Sequence, residues 1–305
     1  MKKFLISTFS ISLLCLNLLA YNTYAFVIDD DTYINNTKRD LLVLMLAYKE
    51  EIKEIEISED KYVYLILNDN RKVLYDDKKE KNREAKVSNS DLQDTLEEIY
   101  PLESIDKVLE GVDPGRSRCY SLLNGLYGDN RKEVEKNLSS ISTLCGNITF
   151  NKNARAGESL KKALNEAKEL ANNKNKINNF IFPISGGYNY RVIQDTGRLS
   201  PHAYAIAIDL NRNNSDYWKW VDKSKGSKRI EEYPKELVKV FEDNGFVWGG
   251  KWEHFDILHF EYRPEIILKS KYFGNFSSVN GSKWYDGVPI NDETEELINI
   301  IDNKI

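Results

Sequence analysis

The chain has 305 residues, with 41% apolar and 30% charged side chains, the composition of a folded globular protein and not of a disordered one. Lysine and arginine number 43 against 48 aspartates and glutamates, a formal net charge of −5, which excludes a nucleic-acid binder that works through a broad basic surface. With three cysteines and three histidines, a cysteine-rich zinc finger is excluded and any histidine-based site has few candidates.

Lys2 and Lys3 precede an uncharged apolar run from Phe4 to Ala20, and Tyr21-Asn22-Thr23-Tyr24 leads to Ala25. That order is a secretory signal peptide, residues 1–25, with cleavage expected after Ala25. An uncleaved anchor is the alternative, because the run approaches the ~17 residues a spanning helix needs. Leu14 before Cys15 does not suit a lipoprotein anchor. No later segment is apolar enough to span a bilayer. The mature protein is therefore expected outside the cytoplasm, secreted or in the cell envelope, with no stable membrane insertion after cleavage.

Residues 26–110 read as a small separate α+β module for packing or targeting. Leu41, Leu44, Met45 and Tyr48 recur at helical spacing between Asp40 and Ile52. Lys61 to Leu67 and Arg71 to Tyr75 flank Asn68-Asp69-Asn70 and predict a β-hairpin. Asp76 to Ser90 is dense in charge and reads as a solvated loop.

Asp113-Pro114-Gly115 marks the start of a second domain, residues 111–275, followed by a C-terminal tail, 276–305. Cys119, Leu122, Leu123 and Leu126 predict one helix, and Val134, Leu138, Ile141 and Cys145 a second, with Tyr127-Gly128-Asp129 turning between them. Antiparallel packing would bring Cys119 and Cys145 to the same end, and an oxidising compartment would join them as a disulfide. Two buried free thiols are the alternative. Further helices are expected over Ala154 to Ala171 and from Pro234 to Asn244-Gly245. Phe180 to Ile184, Ala203 to Leu210, Phe246 to Trp248 and Leu258 to Tyr262 read as strands. The fold class is α+β, an antiparallel sheet flanked by helices.

His202 opens Pro201-His202-Ala203-Tyr204-Ala205-Ile206-Ala207-Ile208-Asp209, and His254 and His259 lie in Trp252-Glu253-His254-Phe255-Asp256-Ile257-Leu258-His259-Phe260-Glu261. A catalytic zinc commonly takes three protein ligands from histidine and carboxylate, and His202, Asp209 and His259 would supply them. Asp209 sits in an apolar stretch, where a carboxylate is costly unless paired or metal-bound. His202 and Asp209 are seven apart and would face opposite sides of a straight strand, so His202 must come from a turn before it. Asp256, three residues before His259, could serve as general base. Glu253 and Glu261 compete for that role, and Glu261 shares strand parity with His259 and could orient it. His254 reads as a surface or supporting residue. Taken only as spacing, structural or surface histidines remain the alternative.

Together these segments resemble a known family. Ser200-Pro201-His202 through Asp209, the run Gly245-Phe246-Val247-Trp248-Gly249-Gly250-Lys251-Trp252, and Asp256-Ile257-Leu258-His259-Phe260-Glu261 are similar to the motifs of the zinc D-alanyl-D-alanine carboxypeptidase / L-alanyl-D-glutamate endopeptidase family. The resemblance covers roughly residues 110–270 and extends to Gly186 through Ser200. It implies a hedgehog-like zinc fold and hydrolysis of the peptide stems of bacterial peptidoglycan, which would be the partner. A metal-bound but non-catalytic cell-wall-binding module on the same fold is the competing reading. By the resemblance, His202, Asp209 and His259 would hold zinc and Asp256 would be the catalytic carboxylate. Arg191 would polarise the scissile carbonyl, and Ser200 would help to hold substrate. The family usually has glycine where this chain has Ala205. Alanine is tolerated there if φ stays negative.

Overall fold

The computed structural model describes residues 30–194, 196–274 and 282–305. The expected signal peptide and Cys15 lie outside the described residues. The architecture is mixed α+β, with three small antiparallel sheets among helices.

Helix α1 (Asp30–Ala47) begins ten residues before the first expected helical position. Leu41, Leu42, Val43 and Leu44 are all fully buried, so this end of α1 is enclosed on every side and not only along one stripe. Strands β1 (Ile52–Ile57), β2 (Val63–Leu67) and β3 (Lys72–Leu74) form an antiparallel sheet in that order. The β2–β3 hairpin is the expected one, and its turn residue Asn70 takes φ 64°, a conformation asparagine tolerates well. The charged stretch after it is more ordered than a solvated loop. It contains α2 (Arg83–Ser88), and α3 (Leu92–Leu96) follows directly. Lys81 pairs with Asp77 at 3.1 Å, Asp91 at 2.9 Å and Asp94 at 2.5 Å, so much of the charge is spent internally.

The next region corrects two expectations. Helix α4 (Tyr120–Tyr127) forms as expected and buries Leu122, Leu123 and Leu126. The second helix does not continue to Cys145. It stops as the short α5 (Arg131–Lys136), and a hairpin of β4 (Leu138–Thr143) and β5 (Gly146–Asn151) follows. Serine, threonine and isoleucine crowd this stretch and suit a strand, and Gly146 supplies the turn with φ 107°. Cys145 therefore sits in a hairpin turn, with its Sγ 3.3 Å from the Leu164 carbonyl. Cys119 lies at the start of α4, with its Sγ 3.2 Å from Ser121 Oγ. Both thiols are free: once the second helix is replaced by a hairpin, the reason for pairing them is gone.

Helix α6 (Ala156–Asn173) lies against this hairpin. Gly157 permits the close approach, because a Cβ there would meet Ile141 Cδ1 at 2.8 Å. Phe180 and Ile181 end helix α7 (Asn175–Ile181) instead of starting a strand. The third sheet consists of β6 (Ala207–Asp209), β7 (Phe246–Trp248) and β8 (His259–Tyr262), ordered β6-β8-β7. Helices α8 (Lys223–Glu232) and α9 (Lys235–Asp243) lie between β6 and β7, with Pro234 and Gly245 punctuating α9 as expected. Helices α10 (Pro264–Phe273) and α11 (Asp292–Lys304) complete the described chain.

The first region and the tail are not set apart from the middle. Helix α1 packs on α10 and α11, and one hydrophobic core runs from Leu41 through Phe260 to Ile301. Buried polar links join them as well: Tyr48 donates to Glu265 at 2.6 Å, and Lys269 pairs with Asp40, which also accepts from Tyr75 at 2.8 Å. Among the described residues no helix is long and apolar enough to cross a membrane.

Candidate metal centre and cleft

Adjacent strands bring two of the three expected ligands together. In the β6–β8 register Asp209 lies directly opposite His259, and Asp209 Oδ1 is 2.9 Å from His259 Nδ1. His202 arrives from a short 3₁₀ turn, Pro201–Tyr204, which resolves the strand-parity problem in the way the sequence required. Its Nε2 lies 3.2 Å from both Asp209 Oδ1 and His259 Nδ1.

Two backbone features aim His202. Ser200 is buried and caps the 3₁₀ turn, its hydroxyl accepting from the His202 N–H at 3.3 Å. Ala205 ends the turn with φ 55° and ψ 45°, so the condition of a negative φ is not met. This left-handed position favours glycine and is costly for alanine. The Gly186–Gly187 segment adds a further edge, with Asp209 N donating to the Gly186 carbonyl at 2.8 Å. His202 Nδ1 lies 2.7 Å from the Gly187 carbonyl. A carbonyl only accepts, so Nδ1 carries a proton and the ring presents Nε2 to the centre.

His259 is held from behind by a buried ion network. Glu261, fully buried, lies 3.7 Å from His259 Nε2. Arg118 donates to both of its oxygens, with contacts of 2.6 to 3.1 Å, and Arg263 donates to it at 3.3 Å. Burial works against its charge, but Arg118, His259 and Arg263 hold the Glu261 carboxyl well below the usual range. Burial also opposes a charge on His259, yet the hydrogen bond to Asp209 and the nearby Glu261 carboxylate raise its pKa to about 10. Asp209 is desolvated too, and the two histidines still hold it well below the usual carboxylate range.

The donor set fits a zinc ion. Ligand atoms about 2.0–2.1 Å from a tetrahedral centre lie about 3.3 Å from one another, close to the 2.9 and 3.2 Å separations here. Two imidazole nitrogens and one carboxylate oxygen, each aimed by its own partner, are the donors such a centre takes.

Asp256 lies in the wall of the same cleft, which has a volume of about 610 Å³. Burial by the surrounding protein raises its carboxyl to about 6, with His259 opposing and Asp209 adding to the shift. The Trp248-Gly249-Gly250 turn sets its position. Asp256 N donates to the Gly249 carbonyl at 2.9 Å, and a Cβ on Gly249 would lie 2.4 Å from the Asp256 carbonyl oxygen. Spacing alone did not single out Gly249; its place in the motif was the available signal. Glu253 does not line the cleft. It pairs with Lys223 at 2.7 Å and Arg83 at 2.8 Å, and these partners hold it well below the usual range.

Arg191 lines the cleft with its side chain exposed. His254 also lines it, its Nδ1 2.7 Å from buried Asp113 and its ring edge-on to Trp218. Sequence reasoning missed the rest of the lining. Arg116, Arg118, Arg198, Arg212 and Lys219 make the cleft cationic although the whole chain is acidic. Tyr217, Trp218 and Trp220 form an aromatic wall, with the Arg212 guanidinium 4.4 Å from the Trp220 ring.

In comparisons with known proteins, no curated protein and no solved structure matches the chain. A family model described as D-alanyl-D-alanine carboxypeptidase matches residues 194–262. That segment contains His202, Asp209, Asp256 and His259, while Arg191 and the first region lie outside it. Residues 194–262 are thus a domain of the D-alanyl-D-alanine carboxypeptidase family.

Proposed function

We propose that this protein is a secreted zinc-dependent peptidase, on a hedgehog-like zinc fold, that hydrolyses the peptide stems of bacterial peptidoglycan. The observation that carries the reading is the convergence of His202, Asp209 and His259 within 4.8 Å, on a cleft that Asp256 also lines. His202 Nε2, Asp209 Oδ1 and His259 Nδ1 would hold the ion. When bound there, zinc supplies a Lewis acid that polarises a carbonyl and acidifies water.

The chain's own groups do the remaining work. The Asp256 carboxylate accepts a proton from the attacking water and returns it to the leaving amine. Its raised pKa of about 6 suits a group that must do both near neutral pH. Arg191, unpaired with any carboxylate among the described residues, donates to the scissile carbonyl oxygen as negative charge develops. Ser200 acts through structure: its hydroxyl caps the turn that delivers His202. The cationic lining favours a peptide that carries carboxylates.

Mass spectrometry of muropeptides incubated with the purified zinc-loaded protein tests the reading. Loss of one D-alanine marks a carboxypeptidase, and a longer fragment marks an endopeptidase. Release of no product by protein that holds zinc and binds peptidoglycan would leave the non-catalytic binding module in its place.

A further inference from the structure

The cleft lining carries positive charge that the bond-breaking step does not use. Arg116, Arg118 and Arg198 are part of it. Arg118 is spent on Glu261, with its Nη2 2.6 Å from Glu261 Oε2. Arg116 reaches Asp113 at 3.0 Å. Arg198 has no carboxylate partner among the described residues. Its Nη1 donates to the Val87 carbonyl on α2, and the residue lines the cleft. Burial acts most against the Arg198 charge, Tyr120 favours it, and the like charges of Arg118 and Arg116 oppose it. A guanidinium so placed is stabilised by a carboxylate that accepts from it.

The brace for Arg198 comes from the first region. Val87 itself lines the cleft. Its helix α2 is tied down by Arg83, which pairs with Glu253 at 2.8 Å and with Asp113 at 3.0 Å. The first region therefore forms part of the cleft wall. That gives it a role at the site beyond packing.

We infer that Arg198, braced by α2 and close to Arg116, is an anion subsite for a carboxylate that the substrate carries in addition to its scissile bond. The inference rests on the peptidase reading for the identity of its ligand as an acidic peptide. The cleft then prefers a stem peptide whose D-glutamyl residue carries a free carboxylate over the same peptide with a carboxamide there. Charge-assisted hydrogen bonds of this kind correspond to a preference of roughly tenfold to a hundredfold.

The test uses the zinc-loaded full chain and this pair of stem peptides. For wild type, kcat/KM should favour the free acid, with the difference in KM. In Arg198→Gln the preference should collapse towards one with zinc content unchanged, and Arg198→Lys should keep part of it. Equal loss on both peptides, or no loss on either, overturns the subsite. A second arm measures binding of both peptides by calorimetry to Asp256→Asn and to the Asp256→Asn, Arg198→Gln double variant. If wild type cuts neither peptide but the first variant prefers the acid and the second does not, the subsite stands and the peptidase reading falls. If wild type cuts both peptides equally, the peptidase reading stands and the subsite falls.

Discussion

His259 and Glu261 are two residues apart on one strand, so they face the same side, and Glu261 Oε2 lies 3.7 Å from His259 Nε2. Nε2 is thereby directed to a carboxylate and Nδ1 to Asp209. Glu261 is also the anion between Arg118 and Arg263. Removing its charge leaves buried Arg118 without its carboxylate, while Arg263 keeps Glu265; breaking a buried pair in this way typically costs ~3–5 kcal/mol. Glu261→Gln should therefore unfold at lower denaturant than wild type. The folded fraction should bind zinc about 10- to 100-fold more weakly, the usual effect of losing a group that orients a ligand. Zinc affinity equal to wild type would show that the pair is structural only.

Zinc binding should release protons. With its pKa raised from 6.5 to about 10, His259 is protonated at pH 7 in the metal-free protein. A metal needs the neutral ring, so binding at pH 7 should displace about one proton, and affinity should rise with pH. The stability that the charged His259 gives the metal-free protein is fully present below the unfolded pKa of 6.5. It is lost as pH rises through about 10. Calorimetry in buffers of different ionisation enthalpy reads the proton count directly. A buffer-independent heat at pH 7 would contradict the raised pKa.

Asp256→Asn should keep zinc and fold, because the ligands are untouched. It should lose activity by about 10²–10⁴-fold, the usual contribution of a general base. Glu253→Gln should be mild towards activity, since Glu253 is already paired with Lys223 and Arg83 outside the cleft. Hydrolysis of isolated peptidoglycan by both variants, with zinc measured in each, compares them. A zinc-loaded Asp256→Asn protein that cuts within a few-fold of wild type would end this mechanism.

Ala205 holds φ 55°, a conformation that costs an L-residue roughly 1–2 kcal/mol. Glycine relieves that cost but loses a small buried side chain and gains freedom in the unfolded chain. Ala205→Gly should therefore stabilise the domain by at most about 1 kcal/mol, seen as a modest rise in the unfolding midpoint. A clear destabilisation would show that the Ala205 methyl packing outweighs the backbone strain.

Cys119 and Cys145 should both be labelled by a thiol reagent after unfolding without reductant, as peptide mapping can show. Protein that yields neither label would restore the disulfide that the helical spacing suggested.

His202, Asp209 and His259 could be named from the sequence as candidate ligands, along with the three-residue separation of Asp256 from His259 and the need for a turn before the β6 strand. These are local facts: strand parity forbids His202 and Asp209 from sharing a face, and a buried carboxylate demands a partner. Helix α9 was legible for the same reason, since Pro234 and Gly245 punctuate it. The helix expected over Val134 to Cys145 fails beyond Lys136 because apolar residues at helical spacing also fit a strand, and packing of α6 on Ile141 goes with the strand. The sign of φ at Ala205, the identity of the groups behind His259, and the closing of the cleft by α2 were decided only by tertiary structure. Arg118 and Glu261, or Arg198 and Val87, are separated by more than a hundred residues in sequence. No local pattern records which cation will meet which carboxylate or carbonyl when the chain folds.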